Sequence, residues 1–376
     1  MTLGVGWFPK QPGGLNRYVH GLHGSLGSAS IDQKLLLVAG ESEEIEAREE
    51  VASVAGPDEP VFRRLLRMRG AVRASLPDAD LAVTHFALYA RGCRDLLRDR
   101  PHVVHFHGPW AAESSREGLG RIATHIKHRV ERAVYRTGDR FITLSNAFAD
   151  ILAKDYGVDR ARITIIPGGV DIERFDASMP RADARAQLGW PSDRPIVVCV
   201  RRLVARMGLE SLMDATATLR ERHPDVLVQI IGKGRLADAL ERRVREAGLA
   251  DHVELLGYMP DEQLPLAYRA ADLSVVPTQA LEGFGLIVAE SLAAGTPALV
   301  TPVGGLPEVV QDWRADLVMP GTSSDVIAHT LAAALSGEMQ MPTAEQCRAY
   351  AVDRFAWDRI AGQVAGVYRQ AVDLSK

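Results

Sequence analysis

Short apolar segments alternate with longer segments of helical periodicity along the whole chain. The apolar residues in the short segments are nearly continuous, which is typical of strands covered on both faces of a parallel sheet. Many of them are separated by helical patterns such as LESLMDATATLRER and RLADALERRVREAG. The pattern predicts an α/β fold of two doubly wound domains. The predicted strands are LGVGWF, KLLLVAG, DLAVTH, HVVHFHG, RFITLS and RITIIP, followed by IVVCVRR, VLVQIIG, HVELLGY, LSVVPT and PALVTP.

The boundary between the two domains is predicted in a polar segment with three prolines, DASMPRADARAQLGWPSDRP, at 176–195. We expect an N-terminal Rossmann-like domain over 1–178, a linker over 179–195 and a C-terminal Rossmann-like domain over 196–355. The carboxyl edges of two such sheets, where ligands bind, are expected to face a central cleft. A last amphipathic helix over 356–376 completes the predicted order.

Composition and charge exclude several classes of protein. The 376 residues are 47% hydrophobic and 24% charged, as in globular proteins, and the net charge of −4 argues against nucleic acid as a partner. The three cysteines have no paired spacing, so neither a disulfide framework nor a zinc site is indicated. The N-terminal residues do not resemble a signal peptide, and no apolar run reaches the roughly 20 residues of a membrane span. These features predict a cytoplasmic protein.

The most informative segment is EGFGLIVAE, at 282–290. Gly283 and Gly285 allow a tight loop after Glu282, and a helix is predicted to begin near Gly285 and to stop at Gly295. A helix N-terminus carries unpaired amides and a positive dipole end, which suit an anion such as a diphosphate. Glu282 and Glu290 would flank such a ligand and accept hydrogen bonds from hydroxyl groups. A nucleotide sugar has all of these parts.

The longer string EGFGLIVAESLAAGTP resembles the signature of the retaining GT-B glycosyltransferases of family 4, the group 1 glycosyl transferases. The resemblance implies an N-terminal acceptor domain, a C-terminal donor domain and a C-terminal helix that crosses back to the first domain. The resemblance further implies transfer of a hexosyl unit from a nucleoside-diphosphate sugar to an acceptor hydroxyl, with an α-glycosidic product. It also implies that the reaction needs no cofactor and no divalent metal. The matching segments extend over nearly the whole chain: IIPGGVDIERF, IIGKG, LLGYMP, YRAADLSVVPT and TPVGGLPEVV.

The resemblance assigns roles in donor binding to residues of the second half. Glu282 would contact hydroxyls of the transferred sugar, and Glu290 would hold the ribose. The amides of Phe284, Gly285 and Leu286, next to Gly283, would line the sugar and the phosphates. Gly232 in IIGKG and Tyr258 in LLGYM match turns near the nucleotide, although both fit ordinary strand-end turns equally well.

The segment VRRLVARMG, at 200–208, both matches the family and departs from it. Arg202 matches an arginine that binds the diphosphate, but Met207 stands where the family has a lysine. Arg206 is adjacent and is predicted to supply the missing charge. Arg201 stands where glycine is common, and the alternative for Arg201 and Arg206 is an exposed surface position.

The first half is predicted to contribute small loops and histidines. Gly14 follows Gly13 after the first strand, where a glycine lets the main chain approach a phosphate or an acceptor. A dehydrogenase fingerprint fails there because Pro9 occupies the third glycine position. Asn16 in the same segment is predicted to bind the acceptor.

In HVVHFHGPW, His107 matches a family histidine that bonds a sugar hydroxyl, and His105 lies on the same side of the strand. His85 ends another strand and is predicted to bind the acceptor, or to be a core histidine. Alternating histidines invite a metal, but the sequence shows no further ligands, and the acids at 78–80 are interpreted as a turn before a strand. No metal site is therefore predicted.

The segment VFRRLLRMRGAVRASL, at 61–76, carries five arginines and no acid. A basic amphipathic helix of this kind either docks on anionic lipid or packs its apolar face on the sheet, and the second is the commoner case. The expected partners are a nucleotide sugar and a small-molecule or lipid-linked acceptor. A disaccharide phosphorylase or synthase on the same fold, and a non-catalytic sugar-nucleotide-binding subunit, remain alternative functions.

Overall fold

A computed structural model of the protein describes residues 1–40, 43–176 and 178–374. The chain divides into two compact units. The first consists of Met1–Gly169 together with the helix that begins at Trp357, and the second is Val170–Ala356.

The first unit contains a seven-stranded parallel sheet in the order β3-β2-β1-β4-β5-β6-β7. Strand order reverses between β1 and β4, so the loops after these two strands meet at a topological switch point, where ligands bind in open α/β sheets. The strands are β1 (Thr2–Leu3), β2 (Leu35–Leu37), β3 (Val51–Ser53), β4 (Ala82–Thr84), β5 (His102–Phe106), β6 (Arg140–Thr143) and β7 (Ile163–Ile165).

Helices cover both faces of this sheet. Their bounds are α1 (Gly14–Leu26), α2 (Glu43–Glu46), α3 (Val61–Ser75), α4 (Ala87–Ala90), α5 (Trp110–Arg116), α6 (Arg121–Tyr135), α7 (Asn146–Tyr156) and α16 (Trp357–Asp373). Apolar side chains of α3, α4, α6 and α7 form one core with the sheet. A second core contains α1 and α16, with Ile360, Val364 and Tyr368 fully or almost fully buried.

The second unit contains a five-stranded parallel sheet in the order β10-β9-β8-β11-β12, which reverses between β8 and β11. Its strands are β8 (Ile196–Val200), β9 (Leu227–Ile231), β10 (Val253–Gly257), β11 (Leu273–Val276) and β12 (Ala298–Val300). Its helices are α8 (Arg181–Leu188), α9 (Leu209–Arg222), α10 (Ala237–Glu246), α11 (Leu264–Ala270), α12 (Leu286–Ala293), α13 (Leu306–Val310), α14 (Ser324–Leu335) and α15 (Ala344–Phe355).

The predicted α/β class and the eleven predicted strands are confirmed, with two differences in detail. Strand β3 was not predicted, because its three residues carry little apolar signal and occupy the edge of the sheet. Strand β1 is shorter than its apolar segment and ends at Leu3, although the amide of Gly4 still donates to the carbonyl of Leu36.

The segment at 179–195 contains a regular helix, α8, which packs against α11 in the second unit. Arg185 on α8 is buried and pairs with Asp272 at 2.7 Å (Nη2–Oδ2), which attaches the segment firmly to that unit. Within the described residues, no helix combines the length and the apolarity that crossing a bilayer requires.

Candidate active site

The switch point of the second unit gathers charged side chains at the carboxyl edge of its sheet. Arg201 and Arg202 follow β8 directly, and the loop 277–285 follows the neighbouring β11. These two segments are far apart in sequence and become adjacent because parallel strands end at the same edge.

Arg201 and Glu282 form an ion pair across this edge. The Nη2 atom of Arg201 lies 2.5 Å from Oε2 of Glu282, and it also donates to the hydroxyl of Thr278. The side chain of Arg201 is 7% exposed and that of Glu282 is 14% exposed. A largely shielded carboxylate with a guanidinium partner is held in one position, so it can accept a further hydrogen bond from a ligand.

The loop between β11 and α12 is shaped by positive backbone angles. Leu281 has φ +55° and Gly285 has φ +87°, and a Cβ atom on Gly285 would approach Leu306 closely. The carbonyl oxygen of Glu282 accepts from the amide of Gly305 at 2.9 Å. Non-glycine residues adopt positive φ rarely, so the position of Leu281 indicates a loop held against local strain.

Helix α12 begins at Leu286, directly after this loop, and ends at Ala293 before Gly295, whose φ is +76°. The predicted start and stop are therefore confirmed. Its first turn carries no acid and no side-chain cap, so its amide end keeps a positive partial charge. Glu290 is buried in α12, and Oε2 accepts from the hydroxyl of Tyr268 at 3.3 Å.

Arg206 and Met207 lie in a 3₁₀ turn that is fastened to the same loop. Arg206 is buried, Nη1 donates to the carbonyl of Leu281 at 2.6 Å, and its own carbonyl accepts from the amide of Gln279 at 2.8 Å. The exposed-surface alternative is therefore wrong for both Arg201 and Arg206. Met207 is also buried, so the position of the missing lysine is filled by an apolar core side chain.

Arg202, the residue after Arg201, is exposed. Gly232 follows β9 with φ +147°, and a Cβ atom there would overlap with the carbonyl of Arg201, so only glycine fits. Tyr258 follows β10 and is half exposed, with the Nζ of Lys233 4.9 Å from the centre of its ring. The predicted donor residues of the second half thus lie after strands β8, β9, β10 and β11 of one sheet, whereas Gly14 lies in the first unit.

The switch point of the first unit carries a glycine loop after β1. Gly14 is the first residue of α1, and Gly13 precedes it with φ +143°. Asn16 accepts from the amide of Gly6 at 3.1 Å and donates to the carbonyl of Gln11 at 3.0 Å. Asn16 thus holds the loop, and acceptor binding by this residue remains a prediction.

Three histidines meet at the same edge, at the ends of β4 and β5. Nδ1 of His85 lies 2.9 Å from Nε2 of His107, and the rings of His85 and His105 stack with centres 4.3 Å apart. His105 also bonds the hydroxyl of Tyr368 at 2.8 Å and that of Tyr18 at 3.4 Å. The sequence did not predict this cluster, because His85 and Tyr368 are distant in the chain.

Burial keeps this cluster uncharged. Removal from water lowers the pKa of His107 to about 3, and it lowers the pKa values of His85 and His105 well below their usual range, reinforced by the neighbouring histidines. Among the described residues, ligand atoms of the three histidines lie within 4.8 Å of one another, which metal ligation would allow. As neutral rings, the three histidines already bond or stack with one another, and His105 also bonds the hydroxyls of Tyr368 and Tyr18.

A small cavity of about 130 Å³ adjoins the cluster. Its lining includes His85, His107, Trp110, Glu113 and Glu131. Polar groups beside an aromatic ring suit a hydroxylated ring compound.

The cavity wall is held by a buried carboxylate. Oε2 of Glu131 accepts from the amide of Ala111 at 3.2 Å and from the hydroxyl of Tyr156 at 2.9 Å, while Oε1 has no partner among the described residues. Burial raises the pKa of Glu131 to about 7.

Comparison with known proteins places the chain in a family. A model described as Glycosyltransferase Family 4 matches residues 12–174, and one described as Glycosyl transferases group 1 matches residues 180–354. The fold and the two edges define a GT-B glycosyltransferase. The chain belongs to glycosyltransferase family 4, as its sequence resemblance predicted.

Curated relatives include a D-inositol 3-phosphate glycosyltransferase of Corynebacterium urealyticum, 29% identical over 73% of this chain and 68% of the relative. A GDP-mannose-dependent α-(1-6)-phosphatidylinositol monomannoside mannosyltransferase of Mycolicibacterium smegmatis is 33% identical over 52% of this chain and 53% of the relative. The match thus spans between about half and two thirds of the length of these relatives.

Solved structures share the fold. The sucrose-phosphate synthase of Thermosynechococcus elongatus has a TM-score of 0.76 at 22% identity and covers the whole of both chains. The Anabaena protein HepE in complex with UDP and glucose has a TM-score of 0.79 at 20% identity, over 98% of this chain and 100% of that one.

Proposed function

We propose that this protein is a retaining hexosyltransferase that moves a sugar from a nucleoside diphosphate to an acceptor hydroxyl and forms an α-glycosidic bond. The observation that carries the proposal is the ion pair between Arg201 and Glu282 beside the amide end of α12. It combines a fixed carboxylate for sugar hydroxyls with a positive backbone end for a diphosphate.

The leaving group is the part of the reaction that needs the most charge. As the glycosidic bond to the phosphate breaks, negative charge builds on the diphosphate and positive charge on the sugar ring. Arg202 and the amides of Phe284, Gly285 and Leu286 stabilise the departing phosphate, and phosphate binding by Gly14 of the first unit stays a separate prediction. Arg206 adds positive charge close to this loop while it holds Leu281.

Glu282 in the second unit positions the sugar by accepting hydrogen bonds from its hydroxyl groups, and His107 keeps the role in sugar binding that the family resemblance assigns to it. A neutral His107 donates or accepts a hydrogen bond to a sugar hydroxyl, and it carries no charge that would oppose the cationic ring. The acceptor attacks from the face that the phosphate leaves, and a phosphate oxygen takes the acceptor proton. No protein nucleophile and no metal ion is required.

The acceptor is proposed to carry a hydroxylated ring that enters the cavity beside His85. Both relatives named above are described as acting on inositol-containing acceptors, one free and one lipid-linked. The cavity between His107 and Trp110 offers hydrogen bonds and an aromatic ring to such a group. A cyclitol phosphate and a phosphoinositide are therefore the first acceptors to test.

The first experiment is isothermal titration of the protein with UDP, GDP and dTDP in the presence of a chelator. Tight binding of one diphosphate, weakened by the change Glu290→Gln, supports the donor site and identifies the base. An absence of binding to all three would contradict it. A product assay with the matching sugar nucleotide, followed by NMR of the anomeric proton, then tests retention.

A second candidate is a sugar-nucleotide-binding subunit without its own activity, favoured by the buried Met207 at the lysine position. If Arg202→Ala leaves product formation in cells unchanged while nucleotide binding persists, this second function is supported. If restoring the charge with Met207→Lys increases turnover, the protein is an enzyme.

A further inference from the structure

Exposed apolar side chains concentrate on two helices of the first unit. Eight large apolar side chains are exposed among the described residues, and five of them lie on α3 and α6. Their exposed fractions reach 64% on α3 and 81% on α6. Single exposed apolar residues are ordinary, but a concentration on two neighbouring helices marks an interaction surface. The five are Val61, Phe62, Leu66, Ile122 and Ile126.

The same helices carry an excess of positive charge. Helix α3 has five arginines and no acid, and the one acid of α6, Glu131, is buried. Arg67 and Arg69 pair with Glu59 and Asp95. Most of the remaining basic side chains stay available to a partner.

The charge is densest in a groove of about 640 Å³ along α6 and the adjoining 3₁₀ turn Arg91–Cys93. Burial and the crowding of Arg91, Arg98 and Arg136 lower the pKa of Arg94. Within the described ranges, no acid forms an ion pair with Arg91, Arg129 or Arg136. A groove of crowded guanidinium groups is complementary to phosphate groups.

The two helices share one side of the sheet. Helices α3, α4 and α6 belong to the same core, and both α3 and α6 contact the turn Arg91–Cys93. A helix that follows a parallel strand begins at the carboxyl edge of the sheet. The apolar residues lie in the first two turns of α3 and α6, whereas the arginines extend along the whole of both helices.

We infer that the outer surface of α3, the turn Arg91–Cys93 and α6 docks on a leaflet of anionic phospholipid. Phe62, Leu66, Ile122 and Ile126 enter the boundary between headgroups and acyl chains, and the arginines bind the headgroup phosphates. This combination of apolar side chains flanked by arginines is the one that holds amphipathic helices in a membrane interface. It selects a bilayer over a nucleic acid, which offers no apolar phase.

This inference rests on the proposed function and deepens it, because docking on lipid makes a lipid-linked acceptor the expected substrate class. The apolar first turns lie at the same edge of the sheet as His85 and His107. Docking by this surface therefore brings lipid headgroups to the edge that carries the acceptor cavity.

The test is flotation of the full chain with vesicles of phosphatidylcholine alone or mixed in equal parts with phosphatidylglycerol. We expect binding to the mixed vesicles only, and binding that falls as salt is raised. At roughly fivefold per basic residue, the variant R91Q/R129Q/R136Q should lower the partition coefficient on the order of 100-fold. Phe62→Ser combined with Leu66→Ser should also weaken binding, at unchanged charge.

The matched control is R222Q/R242Q/R245Q, which removes three arginines of α9 and α10 in the second unit. It should bind the mixed vesicles as the unchanged protein does. The inference is overturned by equal binding to both vesicles, by no binding, or by equal losses in both triple variants. Tight binding of a DNA duplex, or dimerisation that Phe62→Ser abolishes, in place of vesicle binding would also overturn it.

Even if a variant fails to fold, the salt dependence of vesicle binding by the unchanged protein tests the inference. Vesicle binding uses no sugar donor, and nucleoside diphosphate titration uses no vesicles. A protein that binds a nucleotide but no vesicles retains the proposed function and loses this inference. A protein that binds mixed vesicles but no nucleotide retains the docking surface and loses the proposed function.

Discussion

The two units share one topology but differ in the electrostatics of their ligand-binding edges. In the second unit, the edge contains an ion pair between the buried Arg201 and the largely shielded Glu282, and the exposed Arg202. In the first unit, the edge contains His85, His105 and His107, which burial keeps neutral. The same fold thus builds a charged edge suited to a diphosphate and a neutral edge suited to hydroxyl groups.

The largest expected effect comes from breaking the charged edge. Arg201→Met leaves Glu282, which is only 14% exposed, without its partner, so we expect the free energy of unfolding to fall by about 3–5 kcal/mol. Urea unfolding measures this change. The double variant Arg201→Met with Glu282→Leu should recover much of the loss, because no unpaired charge remains. A loss below about 1 kcal/mol in the single variant would mean that water reaches the pair.

Removing the exposed charge tests catalysis instead of stability. Arg202→Gln should lower kcat by roughly 10²–10³-fold, as the loss of one group that stabilises a developing charge typically does, with thermal unfolding unchanged. Steady-state kinetics with the donor identified by titration measures it. The control is Arg242→Gln, an exposed arginine on α10. Equal rates in both variants would remove Arg202 from the site.

A carboxyl group in the first unit tests how strongly burial disfavours charge there. Burial raises the pKa of Glu131 from 4.5 to about 7, so the folded protein releases its proton later than the unfolded chain. Stability contributed by the protonated form is therefore lost as pH rises from about 4.5 through about 7. Glu131→Gln should remove this loss and stabilise the protein above pH 7 by on the order of 3 kcal/mol.

Urea unfolding on both sides of that pH range measures the effect of Glu131→Gln. The replacement keeps an acceptor for the amide of Ala111 and the hydroxyl of Tyr156. A variant that is less stable than the unchanged protein above pH 7 would show that the ionised carboxylate is the favoured form.

Over a single pH unit, one histidine should give a smaller effect than Glu131, with the opposite sign. The folded pKa values of the three histidines lie below the ordinary 6.5, so only the unfolded chain gains protons just below that pH. Stability should fall as pH drops below about 6.5, by up to about 1.4 kcal/mol per pH unit for each neutral histidine. Replacing His107 by Asn should make this dependence shallower, whereas His329→Asn, at an exposed position of α14, should leave it unchanged.

The sequence predicted the parts of the fold that depend on local pattern. Continuous apolar segments predicted eleven strands, because a parallel sheet buries both faces of its strands. Among the described residues, the short edge strand Val51–Ser53 was not predicted. The glycines around Phe284 predicted the start of α12, because a positive φ is a local property of the chain.

The parts that were missed depend on contacts between distant residues. Arg201 was interpreted as either a departure from the family or a surface residue, yet it is the partner of Glu282. A signal was present, since β8 and β11 are neighbours in a doubly wound sheet and an arginine after one can reach an acid after the other. The histidine cluster gave no such signal, because Tyr368 belongs to a helix at the other end of the chain.

The return of α16 to the first unit has a consequence for the order of assembly during translation. A chain leaves the ribosome from its N-terminus, so the contiguous second unit is fully synthesised before α16 exists. Until then, the core shared by α1 and α16 is incomplete, and His105 lacks its bond to the hydroxyl of Tyr368, which lies 263 residues downstream. The unit that begins first is therefore completed last, and its histidine-bearing edge is complete only when nearly all of the chain described here has been made.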